Sequence, residues 1–141
     1  MPGLTKSDVP KGTEVWTELA PERRSKILLA ESEDALAEQV LARLQEHFLV
    51  ERCSNETDAL NRLVNASFDM VIWDVTLPAT SGLAIFKLLR DKGTPVLAIA
   101  DKVDTKPCFG DFADDYINKP VSLDELSARV RALLRRMSNP D

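Results

Sequence analysis

Residues 71–78 read Val71-Ile72-Trp73-Asp74-Val75-Thr76-Leu77-Pro78, an apolar run that stops on an acid and then turns. A short apolar run without polar alternation describes a strand buried on both faces, as in a parallel sheet. Such a strand requires helices above and below it, so the flanking sequence should alternate short apolar runs with longer amphipathic ones. Working outward, strands are expected at residues 26–30, 49–53, 70–73, 96–99 and 116–118. Between the first two, residues 33–47 place Leu36, Val40 and Leu44 on one face with Ala37 and Leu41 beside them, the period of a helix. Residues 55–64 and 82–89 read the same way. Ser122 followed three residues later by Glu125 forms a capping box that opens a last helix through Leu126, Val130, Leu133 and Leu134.

Right-handed crossovers with helices on both faces then favour an α/β fold, a flavodoxin-like doubly wound five-stranded parallel sheet of order 2-1-3-4-5. In that order the functional crevice lies at the carboxyl ends of strands 1 and 3. Glu31 follows the first and Asp74 the third, so two acids far apart in sequence should face one another.

A length of 141 residues suits one domain. We expect an extension over residues 1–24, the domain over 25–136 and a tail or linker over 137–141. A hydrophobic fraction of 44% with 29% charged residues allows a real core. The net charge of -5 argues against direct nucleic-acid binding, which needs clustered Lys and Arg, and leaves any such binding to a separate output domain. No apolar run approaches the roughly 20 residues of a membrane span, and residues 1–11 are polar, unlike a signal peptide, so a cytoplasmic location without membrane contact is expected. Cys53 and Cys108 match neither a disulfide framework nor a zinc spacing and read as reduced thiols. The extension carries Pro2, Gly3, Pro10, Gly12 and Pro21, with Val15, Trp16 and Leu19 at helical spacing; a short turn over residues 13–20 could dock on the domain.

Three segments together resemble the response-regulator receiver family of two-component signalling: Ile27-Leu28-Leu29-Ala30-Glu31-Ser32, Val71 to Pro78 with Gly82, and Asp115-Tyr116-Ile117-Asn118-Lys119-Pro120. The resemblance covers about residues 26–136. It implies that Asp74 is a phosphoacceptor supplied by a sensor histidine kinase or another regulatory protein, and that Lys119 contacts the phosphoryl group. It also implies a Mg²⁺ ion held by Glu31, Asp74 and the backbone carbonyl of Thr76, and a Lys119–Pro120 bond that is commonly cis. Such a module signals through partners, dimerisation or an attached DNA-binding output and is not an enzyme in the ordinary sense.

Departures from the family pattern mark an atypical member. Ser32 stands where the family has a second acid, which should weaken Mg²⁺ by about 10-fold or more; Glu33 is the nearest substitute. Ala100 replaces the Ser or Thr whose hydroxyl is coupled to rotation of an aromatic, here Tyr116, leaving a degenerate switch. Residues 101–115, with Pro107 and Gly110, are expected to form a loop with a fourth helix shortened or missing, and with Phe109 or Phe112 packed over the sheet.

Each residue also has a plainer reading. Lys119 can be a structural partner of Asp74, Trp73 and Tyr116 can be core, and His47 can be a surface or capping residue. Arg129, Arg131, Arg135 and Arg136 can be the wet face of the last helix, with a homodimer surface as the sharper alternative. The rival functions are a phosphorylation-independent pseudo-receiver acting as an interaction or dimerisation module, and a flavin-binding domain. The latter lacks its Ser/Thr-rich phosphate loop after strand 1.

Overall fold

In the computed structural model, which describes residues 24–77, 82–100 and 113–138, β1 (Lys26–Ala30) and β3 (Met70–Asp74) lie side by side at the centre of the sheet. Around them come β2 (Leu49–Cys53), β4 (Val96–Ala100) and β5 (Asp115–Asn118) in the order β2-β1-β3-β4-β5, every neighbouring pair parallel. The helices are α1 (Asp34–Leu44), α2 (Glu56–Asn65), α3 (Gly82–Lys92) and α4 (Leu123–Ser138). The doubly wound five-stranded sheet expected from the sequence is therefore present.

The strands run slightly further than the apolar pattern implies. Asp74 stays in register opposite Ile99, and Ala100 opposite Asn118, so the ladder carries the polar residues at the strand ends. Conversely, α1 stops at Leu44, because the next residues turn the chain onto β2: the amides of His47 and Phe48 both donate to the Leu44 carbonyl, at 3.0 and 2.9 Å. Residues 101–112, with the expected loss of the fourth helix, Cys108, Phe109 and Phe112, lie outside the described residues. So does the turn expected over residues 13–20.

Alternation along the central strands divides the core in two. Leu28, Ala30, Val71 and Trp73 meet Ala59 and Leu63 of α2 and Ile85, Phe86 and Leu89 of α3. Ile27, Leu29, Met70 and Ile72 meet Ala37, Val40 and Leu44 of α1 and Leu126, Val130 and Leu133 of α4. Helix ends are fastened locally. Asn55 caps α2 by accepting from the Asp58 amide at 2.8 Å, and Ser122 Oγ accepts from the Glu125 amide at 3.2 Å. The Glu125 carboxylate turns instead to Arg129, 3.0 Å away, so only one half of the expected capping box is seen. Gly93, at φ 72°, closes α3 in the left-handed conformation that glycine adopts without a Cβ penalty. No helix among the described residues is long and apolar enough to cross a membrane.

Candidate functional site

Because Ala30 pairs with Trp73, the next residue on each strand, Glu31 and Asp74, emerges at the same level of two adjacent parallel strands. Both side chains are completely buried, and they are the only buried charged residues among those described. The sheet topology brings β5 up beside β4, and the residue after β5, Lys119, returns to the same crevice. Its ammonium lies 2.8 Å from Asp74 Oδ2. The Lys119–Pro120 peptide is cis, as the resemblance implies.

Asp74 is well supplied with partners. Its Oδ1 accepts from the Thr76 amide at 2.9 Å and from the Thr76 hydroxyl at 2.8 Å. Glu31 is less so: Oε2 accepts from the Glu33 amide at 3.1 Å, whereas Oε1 accepts no hydrogen bond. Asp74 Oδ2 has the Lys119 ammonium as an ion-pair partner but no donor in aligned hydrogen-bond geometry. The two carboxyl groups are close enough to share a hydrogen bond when one of them carries a proton.

The proton belongs on Glu31. Burial, reinforced by the neighbouring Asp74 carboxylate, pushes Glu31 up to about 7, against the smaller pull of the Glu33 amide and Lys119. Burial opposes charge on Asp74 as well, but the protonated Glu31 carboxyl, the Lys119 ammonium and the two Thr76 donors together outweigh it and hold Asp74 below the usual carboxylate range. Below about pH 7 the pair thus carries its negative charge on Asp74.

Two buried carboxylates whose donor-free oxygens share one crevice make a hard, anionic oxygen set of the kind that suits a divalent cation. The set is small: among the described residues no group of three or more His, Cys, Asp or Glu side chains gathers. Ser32 and Glu33 are both exposed, and what Glu33 brings to Glu31 is its amide. Ala100 is buried at the end of β4 with only a methyl group to offer. Tyr116, half-buried, packs against the core cluster that contains Trp73, and Trp73 stacks edge-on against Phe86 with ring centroids 5.5 Å apart. Both aromatics therefore serve the core. His47 is exposed at the turn after α1, and Cys53 is a buried thiol that burial pushes up to about 11.

The sequence reading gave Thr76 only a backbone-carbonyl role, missing its donors to Asp74, and missed Arg52 altogether. The Thr76 side chain and amide both bind Asp74, and the signal was available: a Thr two residues after an acid at a turn is well placed to hydrogen-bond back to it. Arg52 donates Nε and Nη2 to the Glu31 carbonyl at 3.0 and 2.9 Å, and Nη2 reaches Asp34 at 2.8 Å, so it fastens the turn between β1 and α1. Nothing local in the sequence marks Arg52; the pairing of β1 with β2 places it there.

Residues 27–131 match the family model for the response regulator receiver domain. The chain belongs to the response-regulator receiver family. Among its curated relatives, the response regulator protein PmrA of Pseudomonas aeruginosa is 45% identical over 117 residues, covering 79% of this chain and 53% of PmrA. The response regulator ArlR of Staphylococcus aureus is 37% identical over 122 residues, covering 83% of this chain and 56% of ArlR. This receiver chain thus spans about half the length of those relatives. Among solved structures, the receiver domain of the Francisella response regulator 1452 superposes with a TM-score of 0.70 at 26% identity, covering 81% of this chain and 99% of that one. A CheY-like receiver domain protein from Methanospirillum hungatei superposes with a TM-score of 0.74, covering 84% of this chain and 99% of that one; at 20% identity it supports the fold alone.

Proposed function

We propose that this receiver accepts a phosphoryl group on Asp74 from a sensor histidine kinase and passes the signal to protein partners. The observation that carries this reading is the completely buried Asp74 carboxylate, charged at neutral pH, with Lys119 2.8 Å away and a buried Glu31 beside it. Asp74 Oδ1 is held by two Thr76 donors, so Oδ2 keeps a lone pair for attack. In the transfer an Oδ2–P bond forms while the P–N bond of a phosphohistidine breaks, and the electron pair leaves on the imidazole nitrogen. Lys119, already at Oδ2, pairs with a phosphoryl oxygen as negative charge accumulates there.

Glu31, Asp74 and the backbone carbonyl of Thr76 are the groups that would hold Mg²⁺, which when bound supplies charge neutralisation between the two reacting anions. Ser32 in place of a carboxylate makes this a weak site. Downstream, the charge and apolar residues of α4 support a dimer or partner surface, and an attached DNA-binding output belongs to the same reading. The full protein, its output and its cognate kinase belong to this proposal.

The test is incubation with acetyl phosphate and high Mg²⁺ followed by intact mass. One phosphoryl adduct is expected on the wild-type chain and none on Asp74→Asn. A well-folded wild-type sample that stays unmodified would overturn the phosphoacceptor reading in favour of a pseudo-receiver.

A further inference from the structure

At the end of the sheet opposite Asp74, a groove of about 440 Å³ opens between the turn after α1 and the last turns of α4. Phe48 and Leu134 supply its apolar surface, Arg131 and Arg135 two positive charges against the one negative charge of Asp69, whose carboxylate already accepts from the Lys26 amide at 2.8 Å, and His47 and Ser25 part of its wall. The signalling site uses none of these residues. Leu49, adjoining Phe48, is one of two large apolar side chains left exposed among the described residues, at 48%.

The groove lies where the N-terminal segment joins the domain. Ser25 itself lines it, and the Ser25 carbonyl is fixed by the Leu49 amide at 2.9 Å, so the preceding chain departs from the groove's edge. That preceding chain has a matching composition. Residues 13–22 read Thr13-Glu14-Val15-Trp16-Thr17-Glu18-Leu19-Ala20-Pro21-Glu22, with three acids, no base, and the apolar cluster Val15, Trp16 and Leu19. Glu14, Glu18 and Glu22 recur at intervals of four residues, as do Arg131 and Arg135 on α4.

We propose that residues 13–22 dock in this groove of their own chain, with Trp16 as the apolar anchor against Phe48 and Leu134 and the glutamates facing Arg131 and Arg135. Reach permits it: the six steps along the chain from Leu19 to Ser25 span up to about 20 Å when extended, ample to fold back over the groove's edge. The short tether also favours the same chain over a second copy, because a linker of this length gives an effective concentration on the order of mM. Docking would bind the N-terminal segment to the C-terminal turns of α4, the helix through which the chain leaves the domain.

The test uses the full chain, in which Trp16 and Trp73 are the two tryptophans. In Trp73→Phe, the remaining Trp16 should emit at short wavelength and resist acrylamide, independently of protein concentration. Adding Arg131→Glu and Arg135→Glu should red-shift it and raise quenching several-fold. Equal quenching with and without the arginine substitutions overturns the proposal, and protection that grows with protein concentration overturns it in favour of docking on a second copy. Should Trp73→Phe fail to fold, amide exchange of residues 47–49 and 130–136 is compared between the wild type and Trp16→Ala. Faster exchange in Trp16→Ala supports docking, and equal exchange rules it out.

Discussion

The two halves of the crevice are built to different standards. On the Asp74 side, each carboxylate oxygen has a partner: two donors from Thr76 at Oδ1 and the Lys119 ammonium at Oδ2. On the Glu31 side, an equally buried carboxyl has one amide for one oxygen and none for the other, with exposed Ser32 next to it; beyond Asp74, the end of β4 offers only the methyl group of Ala100. The first half stabilises charge on a nucleophile; the second suppresses charge until something positive arrives. A receiver can therefore retain its acceptor while its cation and switch elements are reduced, because different strands supply the two sets of groups.

The largest expected effect separates the halves. Lys119→Ala should slow acetyl-phosphate labelling of Asp74 by about 100- to 1,000-fold, the range seen when a donor to a developing oxyanion is removed. Time-resolved intact mass measures it, and a loss of only a few-fold would make Lys119 a structural partner alone. Ser32→Asp strengthens the weaker half and should raise Mg²⁺ affinity by about 10- to 100-fold, measured by titration of Trp73 fluorescence. No gain in affinity would show that the missing carboxylate does not limit this site.

Acidity sharpens the contrast further. With Glu31 raised from 4.5 to about 7, the folded protein retains a proton that the unfolded chain releases. The stability this contributes is complete below about pH 4.5 and is lost as pH rises through about 7. Mg²⁺ binding must expel the same proton, so its affinity should fall by about 10-fold per pH unit below 7 and level off above it. In Glu31→Gln the proton-linked part of both dependences should vanish, together with much of the Mg²⁺ affinity. Calorimetric stability at pH 5 and pH 8, with and without Mg²⁺, checks the sign; stability that rises between those values in the wild type without metal would contradict the assignment of the proton to Glu31.

The smallest effect is expected at Ala100. Ala100→Thr fills a buried strand end at a cost of about 1 kcal/mol. It should leave the labelling rate nearly unchanged while making the ring resonances of Tyr116, the single tyrosine of the chain, respond to phosphorylation. A Tyr116 that responds equally in the wild type would mean that the missing hydroxyl is not the break in the switch.

Much of this was legible beforehand, and the reasons are specific. The apolar runs at Lys26–Ala30 and Met70–Asp74, interleaved with amphipathic segments, admit few parallel folds, so the sheet order followed from the handedness of its crossovers. Glu31 and Asp74 stood out as acids closing apolar strands, and Lys119 through the segment Asp115 to Pro120 that resembles the receiver family. Arg52 and the apportioning of one proton between two acids were not legible, because each depends on groups brought together from different strands. The half-formed capping box at Ser122 shows the same limit: Glu125 had Arg129 as a competing partner, and Arg129 in turn grips Asp115 of β5 at 2.8 Å.

By itself, then, the sequence determined the strands, the burial of β1, β3 and β4 on both faces and the identity of the acids that close β1 and β3, since periodicity and residue type act locally. Only the tertiary structure decided which acid is charged. That property depends on burial and on the positions of Lys119 and Thr76 relative to Asp74, quantities set by how β1, β3 and the end of β5 converge.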